Sequence, residues 1–317
     1  MLINADKVRQ WKRDIETSVD MYNQWFLEFA PITYRESRLN AIREVKEAFR
    51  LTNDLKAIIP ATLKVAPKVL PTLRMCTAPP LARDRLVGLA STNKNLVQIL
   101  EEGKLPTRMK PNELNKHLKA ICDTILFLLD KDIFPWLETN EPAKVEERER
   151  AATIVADRLT GAVADPIIRN AQEERQLAKI KAYLESLGYV YENPKPGTTP
   201  IDIRPGTFCF RYNVKVKQEN KDVNIPIDVV IQPKKPRENM MPIFIECKSA
   251  GDFTNTNKRR KEEATKVRQL KNTYGEETQL YLFLCGYFDA GYLGYEAAEG
   301  LDWIWEHRIE DMAQLGL

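Results

Sequence analysis

IPIDVVIQPKKPRENMMPIFIECKSA, residues 225–250, is the stretch whose reading decides the fold. Two apolar runs, rich in β-branched residues, flank a basic loop with two prolines, and this pattern predicts two buried strands. Side chains alternate along a strand, so Ile225, Ile227, Val229 and Ile231 are expected on one face, with Asp228 on the other between Pro226 and Val230. By the same period Glu246 and Lys248 point the same way. Ionised groups inside such apolar runs are costly to bury unless a partner or a metal uses them. If the strands are neighbours, an Asp, a Glu and a Lys converge. Two carboxylates can hold a hard divalent cation, and a lysine beside them can orient a water. The competing reading, edge strands whose charges face water, fits poorly because both runs are apolar on both faces.

The segment after this pair is a charged helix. Thr254, Asn255 or Thr256 is a candidate N-cap, and from Phe253 to Lys271 seven basic residues stand against two acidic ones. Lys258, Lys261, Thr265 and Arg268 fall on one helical stripe that can follow a phosphate backbone. Asn255, Asn257, Arg259 and Arg260 have donor chemistry suited to DNA, in part to base edges. A solvated helix face is the plain alternative. Upstream, a helix carries Glu173 and Glu174, and Glu174 is a candidate extra carboxylate for a metal, though an ordinary surface glutamate reads the same way. A second Pro-Ile-Asp, at Pro200, Ile201 and Asp202, lies in a turn-rich context. Asp202 therefore remains a rival to Asp228 as first metal ligand.

Working outward, strand-like runs recur only after Gly188: YVYE, FCFRYNVKVK, the two strands above, and QLYLFLCGYF from Gln279. Before that the chain reads as helix. Helices are expected over residues 4–28, ending near Pro31, and over 34–57, 81–90, 94–103 and 112–138. From residue 145 a charged helix runs toward Pro166, which is expected to interrupt it, and resumes as far as Gly188. The expected division is a helical N-terminal region, residues 1–144, for dimerisation or DNA wrapping, and a catalytic domain, residues 145–317. The fold class is α/β (α+β): a mixed sheet core flanked by helices, with an all-helical N-terminal region.

Composition removes other classes. No apolar run approaches the ~20 residues of a membrane span, and residues 1–11 lack a hydrophobic signal core, so a cytoplasmic location is expected. Five cysteines stand singly and there are only two histidines, His117 and His307. A structural zinc site or disulfide framework is not indicated. A net charge of +3 does not by itself announce nucleic acid. Both histidines read as structural, and Trp303 and Trp305 read as sheet cover.

The arrangement of Asp on one strand, E-x-K on the next, then helix and strand resembles the PD-(D/E)xK nuclease superfamily. The segments SVDMYNQWFLEFAPITYRESR (18–38), TAPPLARDRLVGLA (77–90), ECKSAGDFTNTNKRRKEEATKVRQL (246–270) and LFLCGYFDAGYLGYEAAEGLDWIWEHRIED (282–311) resemble the XamI-type restriction endonucleases. The resemblance implies a restriction-endonuclease-like fold and cleavage of a short palindrome in double-stranded DNA, with GTCGAC the site tied to the family. It implies Mg2+ held by Asp228, Glu246 and the Cys247 backbone carbonyl, and Lys248 beside the attacking water. It also implies a homodimer and a cognate DNA methyltransferase as genetic partner. The one departure is an extra residue between proline and aspartate in Pro226-Ile227-Asp228. Another nuclease of the same core acting in repair or recombination, and a DNA-binding protein without hydrolysis, stay open at this point.

Overall fold

The computed structural model describes residues 2–139, 141–195, 197–218, 221–235 and 241–317, with the side chains of Asn255 and of residues 257–261 outside that description. The chain forms two compact units, one of residues 1–29 with 169–317 and one of residues 30–168. The sequence expectation put its division at 144/145. By contacts, the first residues of the chain belong with the sheet. Asp302 explains why: its carboxylate accepts from the backbone N–H groups of Ile3, Asn4 and Ala5, and the Trp11 ring lies 5.5 Å from that of Trp303.

The helical unit takes the second part of α1 (Val8–Leu51), then α2 (Pro60–Val65), α3 (Leu70–Met75), α4 (Arg83–Leu89), α5 (Lys94–Glu101), α6 (Pro111–Phe127), α7 (Trp136–Thr139) and the first part of α8 (Val145–Ser186). Its core is one cluster that includes Val45, Phe49, Leu70, Leu118, Phe134 and Trp136. The segment expected as one helix over 112–138 breaks after Phe127. There the backbone is captured by a neighbouring segment: Ala78 N donates to Leu128 O, and Asp130 N donates to Cys76 O.

Neither Pro31 nor Pro166 ends its helix. A mid-helix proline costs about 3 kcal/mol, and burial on both sides of each proline offsets it. In α1, Trp11 and Tyr22 bury before the proline and Val45, Ala48 and Phe49 after it; in α8 the pairs of flanks are Val155 with Leu159, and Leu177 with Ile180.

The sheet unit contains β1 (Val190–Tyr191), β2 (Thr207–Gln218), β3 (Lys221–Gln232), β4 (Ile243–Ala250), β5 (Leu280–Gly286) and β6 (Asp302–Trp305), in that spatial order. β2, β3 and β4 are antiparallel; β1 pairs β2, and β5 pairs β4 and β6, in parallel. Helices α9 (Phe253–Tyr274) and α10 (Ala290–Ala298) make the parallel crossovers. β6 escaped the sequence reading because four residues between a helix and a 3-10 segment offer too little alternation. One apolar cluster lies on the α9 side, with Val267, Leu270, Trp303 and Trp305; the other, with Leu177, Ile180 and Phe283, lies on the α8 side. Among the described residues no helix is long and apolar enough to cross a membrane.

The even alternation expected along β3 fails at its centre. Ile225 and Ile227 pack on the α9 side, whereas Val229 and Ile231 pack on the α8 side. The face changes at Asp228. Opposite it, Arg211 has φ 51°, and the β2–β3 ladder passes from Phe210–Val229 to Tyr212–Ile227 without pairing the two residues. A left-handed residue turns the strand locally and lets the two halves of the hairpin present opposite faces.

At the far end of β4 and β5, Gly286 has φ 100°, and a Cβ there would lie 2.1 Å from Ala250 O. Gly286→Ala is therefore expected to destabilise the protein by more than about 1 kcal/mol, read as a lowered denaturation midpoint.

Candidate active site

The β3–β4 ladder stops at Val229–Ile245, and the next positions along the two strands are Asp228 and Glu246. The strands part there, and the two carboxylates occupy the fork. The Cys247 backbone N–H donates to Asp228 Oδ2 at 2.8 Å, which ties the aspartate across the gap. Glu246 is 2% exposed. Lys248, two residues on, points the same way as Glu246, as its 3.5 Å approach to that carboxylate shows.

Helix α9 adds two charged side chains that the sequence reading did not single out. Asp252 Oδ1 accepts from Thr254 N at 2.8 Å and so takes the capping role expected of Thr254, Asn255 or Thr256. Further along, Ala264, Val267 and Leu270 bury against the sheet. That registry carries Glu263 and Lys266, three residues apart, under the end of β4. Lys248 Nζ lies 2.9 Å from Glu263, and Lys266 Nζ lies 2.8 Å from Glu246. Lys266 also donates to Pro226 O at 2.9 Å. The result is an alternating chain of charges, Glu263–Lys248–Glu246–Lys266, with Glu263 only 1% exposed. Spacing offered a signal in hindsight: Glu263 and Lys266 flank the apolar stripe of an otherwise polar helix.

Helix α8 closes the other side. Buried Gln176 donates to the backbone carbonyls of Lys248 and Phe283 and fixes the helix on β4 and β5. Glu173 and Glu174 both pair with Arg211. Of the two, Glu173 is the one whose charge acts on Asp228, and Glu174 is turned toward solvent, 61% exposed.

Burial raises the pKa of Asp228, against the Cys247 hydrogen bond and Lys248, which lower it. Burial raises Glu246 too, and the Asp228 charge adds to that, opposed by Lys248 and Lys266. For Lys248, burial pulls the pKa down, but Glu246 and Glu263 outweigh it and the ammonium is held charged. The Cys247 thiol is pushed well up by burial and is no nucleophile at neutral pH.

Other sequence candidates fall elsewhere. Asp202 sits exposed in a 3-10 turn (Pro200–Asp202), where Thr199 Oγ1 donates to it at 2.6 Å. Arg268 is an exposed residue of α9. Asn255, Asn257, Lys258, Arg259, Arg260 and Lys261 lie in the α9 segment, and their side chains are outside the described residues. Among the described residues no three His, Cys, Asp or Glu side chains cluster as a metal cage. His307 stacks on buried Trp305 and approaches Asp14 at 3.6 Å, while His117 meets Thr92 Oγ1 at 3.1 Å; both are structural contacts.

Residues 53–305 match the XamI restriction endonuclease family. The type II restriction enzyme SalI of Streptomyces albus G is 56% identical over 315 residues, which is 99% of this chain and 100% of that enzyme. The type II restriction enzyme XamI of Xanthomonas campestris pv. amaranthicola is 24% identical over 192 residues, 61% of this chain and 62% of its own. A solved structure, protein VC1899 from Vibrio cholerae, covers 90% of this chain and 56% of its own at 12% identity, with a TM-score of 0.30 that carries no weight for the fold.

Two raised carboxylates have a stability consequence. A carboxyl group whose folded pKa exceeds its unfolded value contributes stability below the unfolded value, lost as pH rises through the folded one. Asp228 and Glu246 ionised at neutral pH therefore work against the fold. Asp228→Asn, which keeps an oxygen for the Cys247 N–H, is expected to raise the melting temperature of metal-free protein at pH 7.5. The gain should shrink as pH falls toward the ordinary carboxylate range. An Asn variant that melts lower at both pH values contradicts this electrostatic account.

Proposed function

The chain belongs to the XamI restriction endonuclease family and is a type II, site-specific deoxyribonuclease; from that premise we propose that the fork of Asp228, Glu246 and Lys248 is where it cuts double-stranded DNA. The observation that carries this reading is the convergence of one buried carboxylate, Glu246, with the partly buried Asp228 carboxylate and Lys248 ammonium at the point where β3 and β4 part. A cluster of like and unlike charges held so far from water is costly unless used.

The donor set fits magnesium. Asp228, Glu246 and the Cys247 carbonyl are hard oxygen donors, and two carboxylates leave room for the waters and phosphate oxygens that this ion keeps. When bound, the ion would neutralise charge on the scissile phosphate. Lys248 is fastened by Glu246 and Glu263 and stays protonated, so its part is to orient the attacking water and to stabilise charge on the phosphoryl oxygens, not to accept a proton. Hydrolysis forms one P–O bond to water and breaks the bond to the 3′ oxygen, leaving 5′-phosphate and 3′-hydroxyl ends.

The expected target is the palindrome GTCGAC, read by two copies of the chain about a two-fold axis. Asn255, Asn257, Lys258, Arg259, Arg260, Lys261 and Arg268 of α9 are the proposed DNA contacts, and a DNA methyltransferase of the same specificity is the expected genetic partner.

The test is digestion of a plasmid with one GTCGAC site in magnesium or EDTA, with the ends mapped. One discrete, magnesium-dependent cut is expected. Lys248→Ala should lower the cleavage rate by about 10²–10³, as for loss of one charge-stabilising donor, and Asp228→Ala by at least as much. Unchanged cutting by both variants would sink the assignment. Glu263→Gln should cost roughly 10–100-fold in kcat with little change in KM, as expected for a group that only holds another.

A further inference from the structure

Among the described strand residues Arg211 is the one non-glycine with positive φ, at 51°. A long, β-carbon-bearing side chain is disfavoured there, and such strain persists where the surroundings demand it or where function uses it. Burial does not demand it, because the Arg211 side chain is 55% exposed. Its position is informative: it stands across from Asp228, at the step where the β2–β3 ladder is interrupted. Its guanidinium is held by Glu173 at 2.8 Å and by Glu174, themselves partly or mostly exposed. Exposed ion pairs of this kind exchange partners readily.

From Arg211 a groove of about 820 Å³ runs along the β2–β3 hairpin. Lys195, Lys215 and Lys217 line it with the rings of Tyr212 and Tyr274, and Asp222 is the one carboxylate among its lining residues. The three lysines are exposed, and Lys215 reaches Asp222 at 2.8 Å. A cationic track that includes Arg211, which stands across the hairpin from Asp228, matches a polyanion better than any neutral ligand. A guanidinium fork suits a phosphodiester, whose two free oxygens accept bidentate bonds as a carboxylate does.

We propose that this groove carries the DNA backbone away from the cleavage fork, and that Arg211 grips the phosphate beside the cut by leaving Glu173 and Glu174. The inference rests on the fork being the cleavage site. The left-handed backbone at Arg211 accompanies a guanidinium held against Glu173, the α8 carboxylate whose charge acts on Asp228.

The experiment is anisotropy binding of a labelled duplex containing GTCGAC, and of a scrambled duplex, with calcium in place of magnesium and over a salt series. Arg211→Asn is the main variant, because Asn tolerates a left-handed backbone but cannot replace the charge. It should melt no lower than the parent protein, bind both duplexes about tenfold more weakly, and show a log–log salt slope shallower by about one. Arg211→Lys should fall between. Glu174→Gln, which releases one hold on Arg211, should tighten binding, and Lys195→Ala with Lys217→Ala should flatten the salt slope further. Parental affinity and slope in Arg211→Asn overturn the proposal. So does a lowered melting temperature in both Arg211→Asn and Glu174→Gln with binding weakened in step, which marks the ion pairs as a structural clamp. If Arg211 fails these tests while Asp228→Ala still abolishes cleavage, the fork assignment stands alone; if Asp228→Ala and Lys248→Ala both cut normally, the fork assignment falls whatever Arg211 does.

Discussion

The chain of charges Glu263–Lys248–Glu246–Lys266, its carboxylates buried and its ammonium groups partly covered, is the constraint on which the sheet unit depends. Each member is costly to desolvate, and each is tolerable only because its neighbour carries the opposite sign. Removing one partner from such a pair typically costs about 3–5 kcal/mol, since the other charge stays buried and uncompensated. This couples two elements that could otherwise slide. Helix α9 must keep the rotation that brings Glu263 and Lys266 under β4, and β4 must keep the register that sends Glu246 and Lys248 toward α9. The apolar contacts of Ala264, Val267 and Leu270 fix the same rotation. Packing and electrostatics therefore select one arrangement.

The fork itself follows from a loss of regular pairing. Had β3 and β4 continued past Val229–Ile245, Asp228 and Glu246 would face each other as an ordinary cross-strand pair of like charges, which a sheet disfavours. Instead the ladder ends, the Cys247 N–H that would serve the ladder turns to Asp228, and the carboxylates gain space between them. On the other flank of Asp228, the unpaired position at Arg211 lets the β2–β3 hairpin change faces. Irregular backbone on both sides of one aspartate opens the sheet at that point.

Much of this was legible in the residues. Asp228, Glu246 and Lys248 stand out because ionised side chains interrupt apolar, β-branched runs, and a strand has few ways to hide them. The alternation in the second half of the chain and its absence in the first separated sheet from helix. Glu263 and Lys266 were not legible in the same way. On a helix dense in charge they look like any solvated pair, and only the neighbouring stripe of Ala264, Val267 and Leu270 places them inward. The prolines misled for a related reason. Pro31 and Pro166 carry a real local cost, but burial on both sides outweighs it, and that burial comes from residues distant in sequence.

What the sequence determined by itself was local: which segments are strands, which are helices, and which three side chains in the central strands had to find partners. Those follow from period and from the cost of burying charge, and both act within a few residues. The tertiary structure alone decided the pairing across elements. It put Asp228 beside Glu246 where a ladder ends, paired Lys248 with Glu263 and Glu246 with Lys266, bound residues 3–5 to Asp302, and turned Arg211 against its preferred backbone. These contacts join residues as many as about 300 positions apart, and they depend on register and helix rotation, which one element's sequence does not specify until the others have packed against it.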